Sequence, residues 1–444
     1  MRRVLRPNQK KAFDYCTKVQ HPALFMEMRL GKTLVAIRAL RYYKARRILV
    51  ISPYSAFYSW LHELELEEES GYILLEGPKE ERKQLLKRGW DEGCKWFLIN
   101  KEGHLVLPEI SNYPWDGVVL DESTCIKTWG NKITAFFTNN FRAVDHRFIL
   151  TGTPAPESEL DYFLQLEFLN PEIFDNDYYW DFKRKYFGFL DFRLSISPQG
   201  SRYIPQRLAK YCFFQSRRDC KLGGLKIYER RYVYFTTEAK EAYQRIAKEF
   251  LLEYSGEIKD STVFSITKYI WLRRLCGGML AGNLIFDSKL SELLYLIQGE
   301  LKDQQIVIWC RFTEEIKFIS ERFEQEGYRC GIIYGEIPQQ ERRILAQAFQ
   351  ERQFQLLIAQ PECYKYGANL SCASTMIYYS TPEGLETRLQ SEDRTIDLMK
   401  TDSSLIIDLI VYDSVEQDIL ESLVLKEGKG EMMKRIIQRL KMET

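Results

Sequence analysis

Short apolar runs alternate along this chain with longer stretches of helical periodicity. In the first half the runs Ile48–Ser52, Trp96–Asn100, Gly117–Asp121 and Arg147–Thr151 are strand-sized, and each is followed by polar or helical sequence. That is the pattern of buried strands in a parallel sheet. A further apolar run, Ala23 to Phe25, precedes a loop and then Leu34-Val35-Ala36-Ile37, which reads as a helix. The rhythm returns in the second half with Ile306–Cys310, Cys330–Tyr334, Gln355–Ile358, Thr375–Tyr379 and Leu405–Ile410. The pattern predicts an α/β fold with two parallel-sheet lobes in tandem, 1–225 and 226–444, divided near the basic stretch Arg217 to Gly224. Helical insertions are expected at about 155–220 and 237–298. The first is rich in aromatic residues (Tyr162, Phe163, Phe168, Phe174, Tyr178, Tyr179, Trp180). Such rings can stack bases, but a packed helical insertion is the reading adopted.

Composition adds bounds. With 444 residues, 45% hydrophobic and 28% charged, the chain has the mixture of a soluble protein of two or three domains. Gln9-Lys10-Lys11 follows the basic N-terminus where a signal peptide needs an apolar stretch. The longest apolar runs are strand-sized, so no membrane span is expected, and the expected location is cytoplasmic. Ten cysteines form no C-x-x-C pair, and the four histidines lie far apart. A reduced, intracellular protein without a structural zinc site is expected. Net charge is +1, so no global basic field announces a polyanion. Locally, residues 1–50 carry 13 Lys/Arg against Asp14 and Glu27, and 63–69 hold five glutamates. These runs read as solvated helix faces, with a basic surface facing a polyanion as the other reading.

Candidate chemistry gathers where the predicted strands end. Met26-Glu27-Met28-Arg29-Leu30-Gly31-Lys32-Thr33 joins a strand to a helix, the layout of a nucleotide phosphate cradle. Loop amides and the helix N-terminus face anionic oxygens there. Lys32 supplies a charge for the β/γ-phosphates and Thr33 a hydroxyl for Mg²⁺. The first glycine of such a loop is Met26 here. Val118-Val119-Leu120-Asp121-Glu122 ends a strand in two carboxylates. ATP hydrolysis has two acidic jobs at that place, holding Mg²⁺ and orienting the attacking water. Asp121 suits the metal and Glu122 the water. Thr151-Gly152-Thr153-Pro154 ends the next strand with two hydroxyls suited to relay hydrolysis into domain movement.

In this order the motifs resemble superfamily-two helicase-type ATPases of the Swi/Snf branch, in the style of compact prokaryotic and phage members. The resemblance runs from about Leu5 to Ser422. Leu5-Arg6-Pro7-Asn8-Gln9 resembles the adenine-reading motif, with Gln9 as the adenine ligand. Residues 26–33 resemble the phosphate loop, with Met26 and Arg29 as departures, so Met28, Arg29, Leu30, Gly31, Lys32 and Thr33 are the implied nucleotide contacts. Ser52-Pro53 resembles a motif that touches the DNA backbone. Asp121-Glu122-Ser123-Thr124 resembles the Walker-B motif, and Leu166 to Pro171 an apolar insertion of the family. In the second half, Ser288-Lys289-Leu290, Ile306 to Phe312, Tyr334-Gly335, Gly367-Ala368-Asn369-Leu370 and Gln390 to Arg394 resemble the motifs of a second lobe.

The resemblance implies two RecA-like lobes, ATP and Mg²⁺ as cofactors, and duplex DNA as partner, with any recruiting protein unknown. Gly367 and Arg394 would reach the nucleotide from the second lobe. Its last motif departs from the family: a second arginine falls at Asp397, and loss of an arginine finger costs on the order of a thousandfold in turnover. Arg394 alone then supplies the positive charge. Candidate backbone contacts are Ser52, Lys101, Lys127, Arg311 and Lys365. The implied activity is a duplex-stimulated DNA translocase hydrolysing ATP to ADP and phosphate. The alternatives are a strand-separating DNA or RNA helicase, or a nucleotide-dependent DNA clamp with weak turnover.

Overall fold

The computed structural model describes residues 3–190, 193–222, 224–254, 262–364, 370–395, 403–426 and 429–443. The chain forms two compact units, Met1–Lys221 and Leu222–Thr444. The strands of the first are β1 (Ala23–Met26), β2 (Ile48–Ser52), β3 (Tyr72–Leu74), β4 (Trp96–Asn100), β5 (Gly117–Asp121), β6 (His146–Thr151), β7 (Phe187–Leu190), β8 (Arg193–Ile196) and β9 (Cys212–Gln215). Seven of them make one parallel sheet in the order β3-β4-β2-β5-β6-β1-β9. Every residue of β1, β2 and β5 is buried, as expected for strands covered on both faces by crossover helices. Each large aliphatic side chain so buried contributes about 1.5–3 kcal/mol.

Because the strands are parallel, their carboxyl ends lie on one edge. Register sets Ser52 beside Asn100, Asp121 beside Leu150, and Phe25 beside Thr151. Between 155 and 220 there are helices at Tyr162–Leu169, Tyr179–Tyr186 and Gly200–Tyr211. The same segment also holds the β7–β8 antiparallel hairpin and β9, which pairs with β1. It is therefore not purely helical: Cys212-Phe213-Phe214 joins the main sheet.

The second unit holds β10 (Lys226–Val233), β11 (Met279–Leu280), β12 (Asn283–Leu284), β13 (Ile306–Trp309), β14 (Cys330–Ile333), β15 (Leu356–Ala359), β16 (Thr375–Tyr378) and β17 (Ser404–Val411). Its parallel sheet runs β10-β17-β16-β13-β15-β14. The helices Thr237–Tyr254 and Thr262–Cys276 pack with Val415–Val424 and Lys429–Glu443 around Tyr243, Phe250, Leu272 and Ile436. No helix among the described residues is long and apolar enough to cross a membrane.

The charged runs near the N-terminus are neither plain solvated faces nor one open basic surface. Arg3 bonds Glu63 at 2.5 Å, Arg38 bonds Glu67 at 2.8 and 2.9 Å, and Arg41 bonds Glu69 at 2.6 Å. Lys95 joins the same carboxylate of Glu69 at 2.9 Å. Burial raises the Glu67 pKa, but the arginines outweigh it and hold the carboxyl below its usual range.

At the start of β6, buried Arg147 donates to the carbonyls of Leu169 and Val144 and contacts His21 Nε2 at 3.2 Å. Burial, then the charges of Arg147 and His146, push the His21 pKa down to about 4. The folded chain therefore binds this proton less readily than the unfolded chain. Stability is full above pH 6.5 and declines as pH falls toward 4. Thermal melting over that interval is expected to drop more steeply for the wild type than for His21→Gln. Parallel curves would mean that the imidazole does not couple to folding.

Candidate active site

The loop after β1 closes on Gly31, whose φ of +91° is left-handed and which caps the helix Lys32–Tyr42. Glycine adopts that conformation without steric cost. A Cβ there would also overlap the amide of Gln9. Gln9 and Asn8 are both buried. Asn8 Nδ2 donates to the Leu30 carbonyl at 3.1 Å, and Gln9 Oε1 accepts from the Arg6 amide at 3.0 Å. The segment resembling an adenine-reading motif is thus fastened to the back of the phosphate-type loop. No described side chain caps the helix, so its first amides point toward any anion at the loop.

Lys32 opens that helix and folds back, donating to the carbonyls of Met26 at 2.8 Å and Glu27 at 3.3 Å. Thr33 follows it in the same turn. Arg29 sits at a φ of +66°. Glu27 is fixed by Arg217, which donates its amide at 3.1 Å and Nε at 3.0 Å to one carboxylate oxygen. The Glu27 amide continues the ladder to Gln215.

Asp121 ends β5 in a nearly closed environment. The Trp60 indole donates to Oδ2 at 2.8 Å, and the Glu122 amide donates to Oδ1 at 3.1 Å. Burial raises the Asp121 pKa, while the Trp60 hydrogen bond and the Lys32 charge oppose that rise. Lys32 and Asp121 therefore feel one another across the strand ends. Glu122 takes a left-handed φ of +51°, an uncommon backbone conformation for a residue other than glycine. The Thr151 hydroxyl donates to Glu122 Oε2 at 3.3 Å and accepts from the Thr153 amide at 3.2 Å.

The Thr-Gly-Thr-Pro turn touches the phosphate-type loop directly: a Cβ on Gly152 would lie 3.3 Å from the Met28 amide nitrogen. Gln165 braces both strand ends. It accepts from the Ser123 hydroxyl at 2.6 Å and donates to the Pro154 carbonyl at 2.6 Å. Sequence pattern alone does not mark Trp60, Gln165 or Arg217 as site residues. The visible signal for Trp60 is an indole in an amphipathic helix just after Ser52-Pro53, whose buried N–H requires an acceptor.

The remaining predicted residues are spread more widely. Ser52 is fully buried and its hydroxyl turns to the Pro53 carbonyl at 3.3 Å. This side chain lies beneath the surface, so the expected backbone contact does not come from the hydroxyl in this conformation. Lys127 is committed to Glu157 at 2.7 Å, with Asp161 at 3.8 Å. Lys101 is partly exposed, with Glu102 at 3.7 Å. In the second unit, Arg311 is partly exposed, with Glu362 at 3.6 Å. Arg394 is buried just after the helix Leu385–Glu392, and its carbonyl accepts from the Leu370 amide at 3.0 Å. Lys365, Gly367 and Asp397 lie outside the described residues.

The family model for the SNF2-related domain matches residues 14–277, and that for the helicase conserved C-terminal domain matches 288–398. The ISWI chromatin-remodeling complex ATPase ISW1 of Saccharomyces cerevisiae is 23% identical, over 89% of this chain and 37% of that protein. The putative ATP-dependent helicase/translocase YwqA of Bacillus subtilis is 20% identical, over 98% of this chain and 49% of that protein. The chain thus spans less than half the length of either relative. Among solved structures, a Sulfolobus solfataricus SWI2/SNF2 ATPase core in complex with dsDNA matches with a TM-score of 0.47 at 20% identity, covering 99% of this chain and 94% of that one.

Proposed function

Because this chain belongs to the SNF2-related family, within the superfamily-two helicase-type ATPases, we propose that it is an ATP-driven motor that tracks along duplex DNA. The observation that carries the reading is the gathering of Lys32, Asp121, Glu122 and Thr151 at one sheet edge, with Gln9 locked behind Gly31. In this reading Gln9 recognises the base. The amides and side chains of Met28 to Thr33 hold the phosphates, with Lys32 turning from its loop carbonyls to the β/γ-phosphates. Asp121 and Thr33 offer hard oxygen donors that would hold Mg²⁺. Bound Mg²⁺ would neutralise charge developing on the phosphates. Glu122 orients the attacking water and takes its proton, while Thr151 senses the state of that carboxylate. ATP then leaves as ADP and phosphate.

Arg394 is proposed to supply the positive charge that acts on the γ-phosphate from the second unit. Sequence-independent gripping of the DNA backbone falls to Lys101 and Arg311, with Lys365 as a further candidate. Such binding weakens steeply with salt. Lys127 contributes only if Glu157 releases it.

A phosphate-release assay with duplex DNA, single-stranded DNA and RNA tests this reading. Duplex is expected to stimulate most, without unwinding of a tailed substrate. Unwinding would instead favour a strand-separating helicase, and ATP-dependent binding without release would favour a clamp. Arg394→Ala is expected to lower turnover by on the order of a thousandfold, and Asp397→Arg to raise it. An Arg394→Ala variant as active as the wild type would remove that residue from the mechanism.

A further inference from the structure

The aromatic residues between 162 and 180 divide into two groups. Phe163, Phe168 and Phe174 are buried in the core, whereas Tyr178 is 79% and Trp180 52% exposed. Trp129, on the loop before the helix Lys132–Asn140, is 48% exposed. Trp129 stacks on Tyr179 with ring centroids 5.0 Å apart and planes 11° apart. Tyr179 in turn packs edge-on against the core ring of Phe163 at 5.8 Å. Trp180 stands across both, at 71° to Trp129 and 82° to Tyr179. Two indoles therefore meet in a corner whose floor is anchored in the core. Exposed rings that cluster instead of scattering mark an interaction surface.

The charge around this corner selects the partner. Lys183, Arg184 and Lys185 occupy the last turn of the helix Tyr179–Tyr186, and the Lys183 ammonium lies 5.3 Å from the Trp180 ring centre. Lys132 follows Trp129 by three residues. Against these four cations stand Asp181, which pairs with Arg184, and Asp177, 3.5 Å from Lys185. Lys132 also lines a cavity of about 380 Å³ together with Lys101 and Leu105. Lys101 and Glu102, which line it as well, follow the end of β4, beside the proposed DNA-tracking surface.

We propose that the corner of Trp129, Tyr179 and Trp180 binds unpaired nucleobases, with the strand's phosphates drawn to Lys132 and Lys183. Aromatic faces interleaved with cations are what a single strand needs, because every base offers a π-face and every linkage a negative charge. A peptide would use the rings but has no general need of the cations. The inference rests on the nucleic-acid motor reading and narrows it to a substrate class: duplex DNA that carries an unpaired segment, as at a fork or flap.

The full chain, without nucleotide, is titrated with oligothymidine, with a blunt duplex, and with the same duplex bearing an oligothymidine tail, while tryptophan fluorescence is followed. Oligothymidine is expected to quench the emission, and the tail to tighten duplex binding about tenfold, the worth of one stacked base. Trp180→Ala and Trp129→Ala should lose the gain from the tail while keeping blunt-duplex affinity and its stimulation of ATPase activity. Trp180→Phe should retain most of the gain. If an alanine variant fails to fold, the surface variant Lys132→Glu/Lys183→Glu must lose the same gain. A tail that adds nothing, or a gain that survives both alanine changes, overturns the proposal and leaves the corner to a protein partner. Failure of the motor reading is separate: the blunt duplex would then neither bind nor stimulate ATP turnover.

Discussion

Lys32→Ala is expected to reduce ATP turnover by about a hundred- to a thousandfold, the usual cost of removing one preorganised charge from a transition state. The ammonium is held by the carbonyls of Met26 and Glu27, and its charge reaches Asp121. It is therefore stationed at the loop where the phosphates are proposed to bind. Alanine leaves the Met26 and Glu27 carbonyls without that donor, and Met26 is buried in β1, so a fall in melting temperature of the size set by one lost hydrogen bond should accompany the loss of turnover. Glu122→Gln provides the contrast. The amide can still accept from Thr151 but cannot take a proton, so nucleotide binding should persist while phosphate release stops. Two variants with equal losses of nucleotide affinity would mean that Glu122 binds ligand instead of activating water. Normal turnover in Lys32→Ala would remove the loop from the chemistry.

The contrast between interior and edge explains what could be read from the pattern of the chain. Ile48–Ser52, Trp96–Asn100 and Gly117–Asp121 have the same limits in pattern and in structure. Strands flanked on both sides by other strands and covered on both faces must be continuous apolar runs. The strands that escaped detection are peripheral. Tyr72–Leu74 is a three-residue edge, and Cys212–Gln215 is the opposite edge, hidden in a segment read as helical. Lys226–Val233 is an edge strand whose exposed side chains, Ile227, Tyr228, Arg230 and Tyr232, break the continuous apolar run of a central strand. Edges carry such residues because one side stays open.

The candidate site divides in the same way. Lys32, Asp121 and Glu122 stand out because their chemistry is tied to short local motifs. Trp60, Gln165 and Arg217 act over separations of 61, 42 and 190 residues, so only the folded sheet reveals their partners. The acidic run 63–69 is similar. Its glutamates look solvated in sequence, yet Glu67 is buried against Arg38 and Arg41 because the helices carrying them are neighbours.

Arg388→Leu is expected to destabilise the second unit by about 3–5 kcal/mol, the cost of removing one partner from a buried ion pair. Arg388 lies in the helix Leu385–Glu392 and grips Asp408 of β17 with two bonds, at 2.6 and 3.0 Å. It also bonds Glu392 at 2.7 Å, and its guanidinium sits 3.5 Å from the centre of the Tyr378 ring on β16. Lys226 of β10 holds Glu392 at 2.8 Å and Asp393 at 3.0 Å. Burial raises the Glu392 pKa, but Lys226 and Arg388 outweigh it and keep the carboxyl below its ordinary value. Leucine would strip Asp408 of both guanidinium bonds while leaving it buried. Arg388→Leu/Asp408→Leu should therefore recover much of the loss, since a buried pair replaced by apolar side chains costs little. The network ends next to Arg394, whose carbonyl is bonded to the Leu370 amide. The single variant should thus lose ATP turnover even at temperatures where it stays folded, and the double variant should regain stability more fully than turnover. Melting followed together with ATPase rate separates the two effects. A single variant that melts with the wild type would show that Asp408 finds another partner.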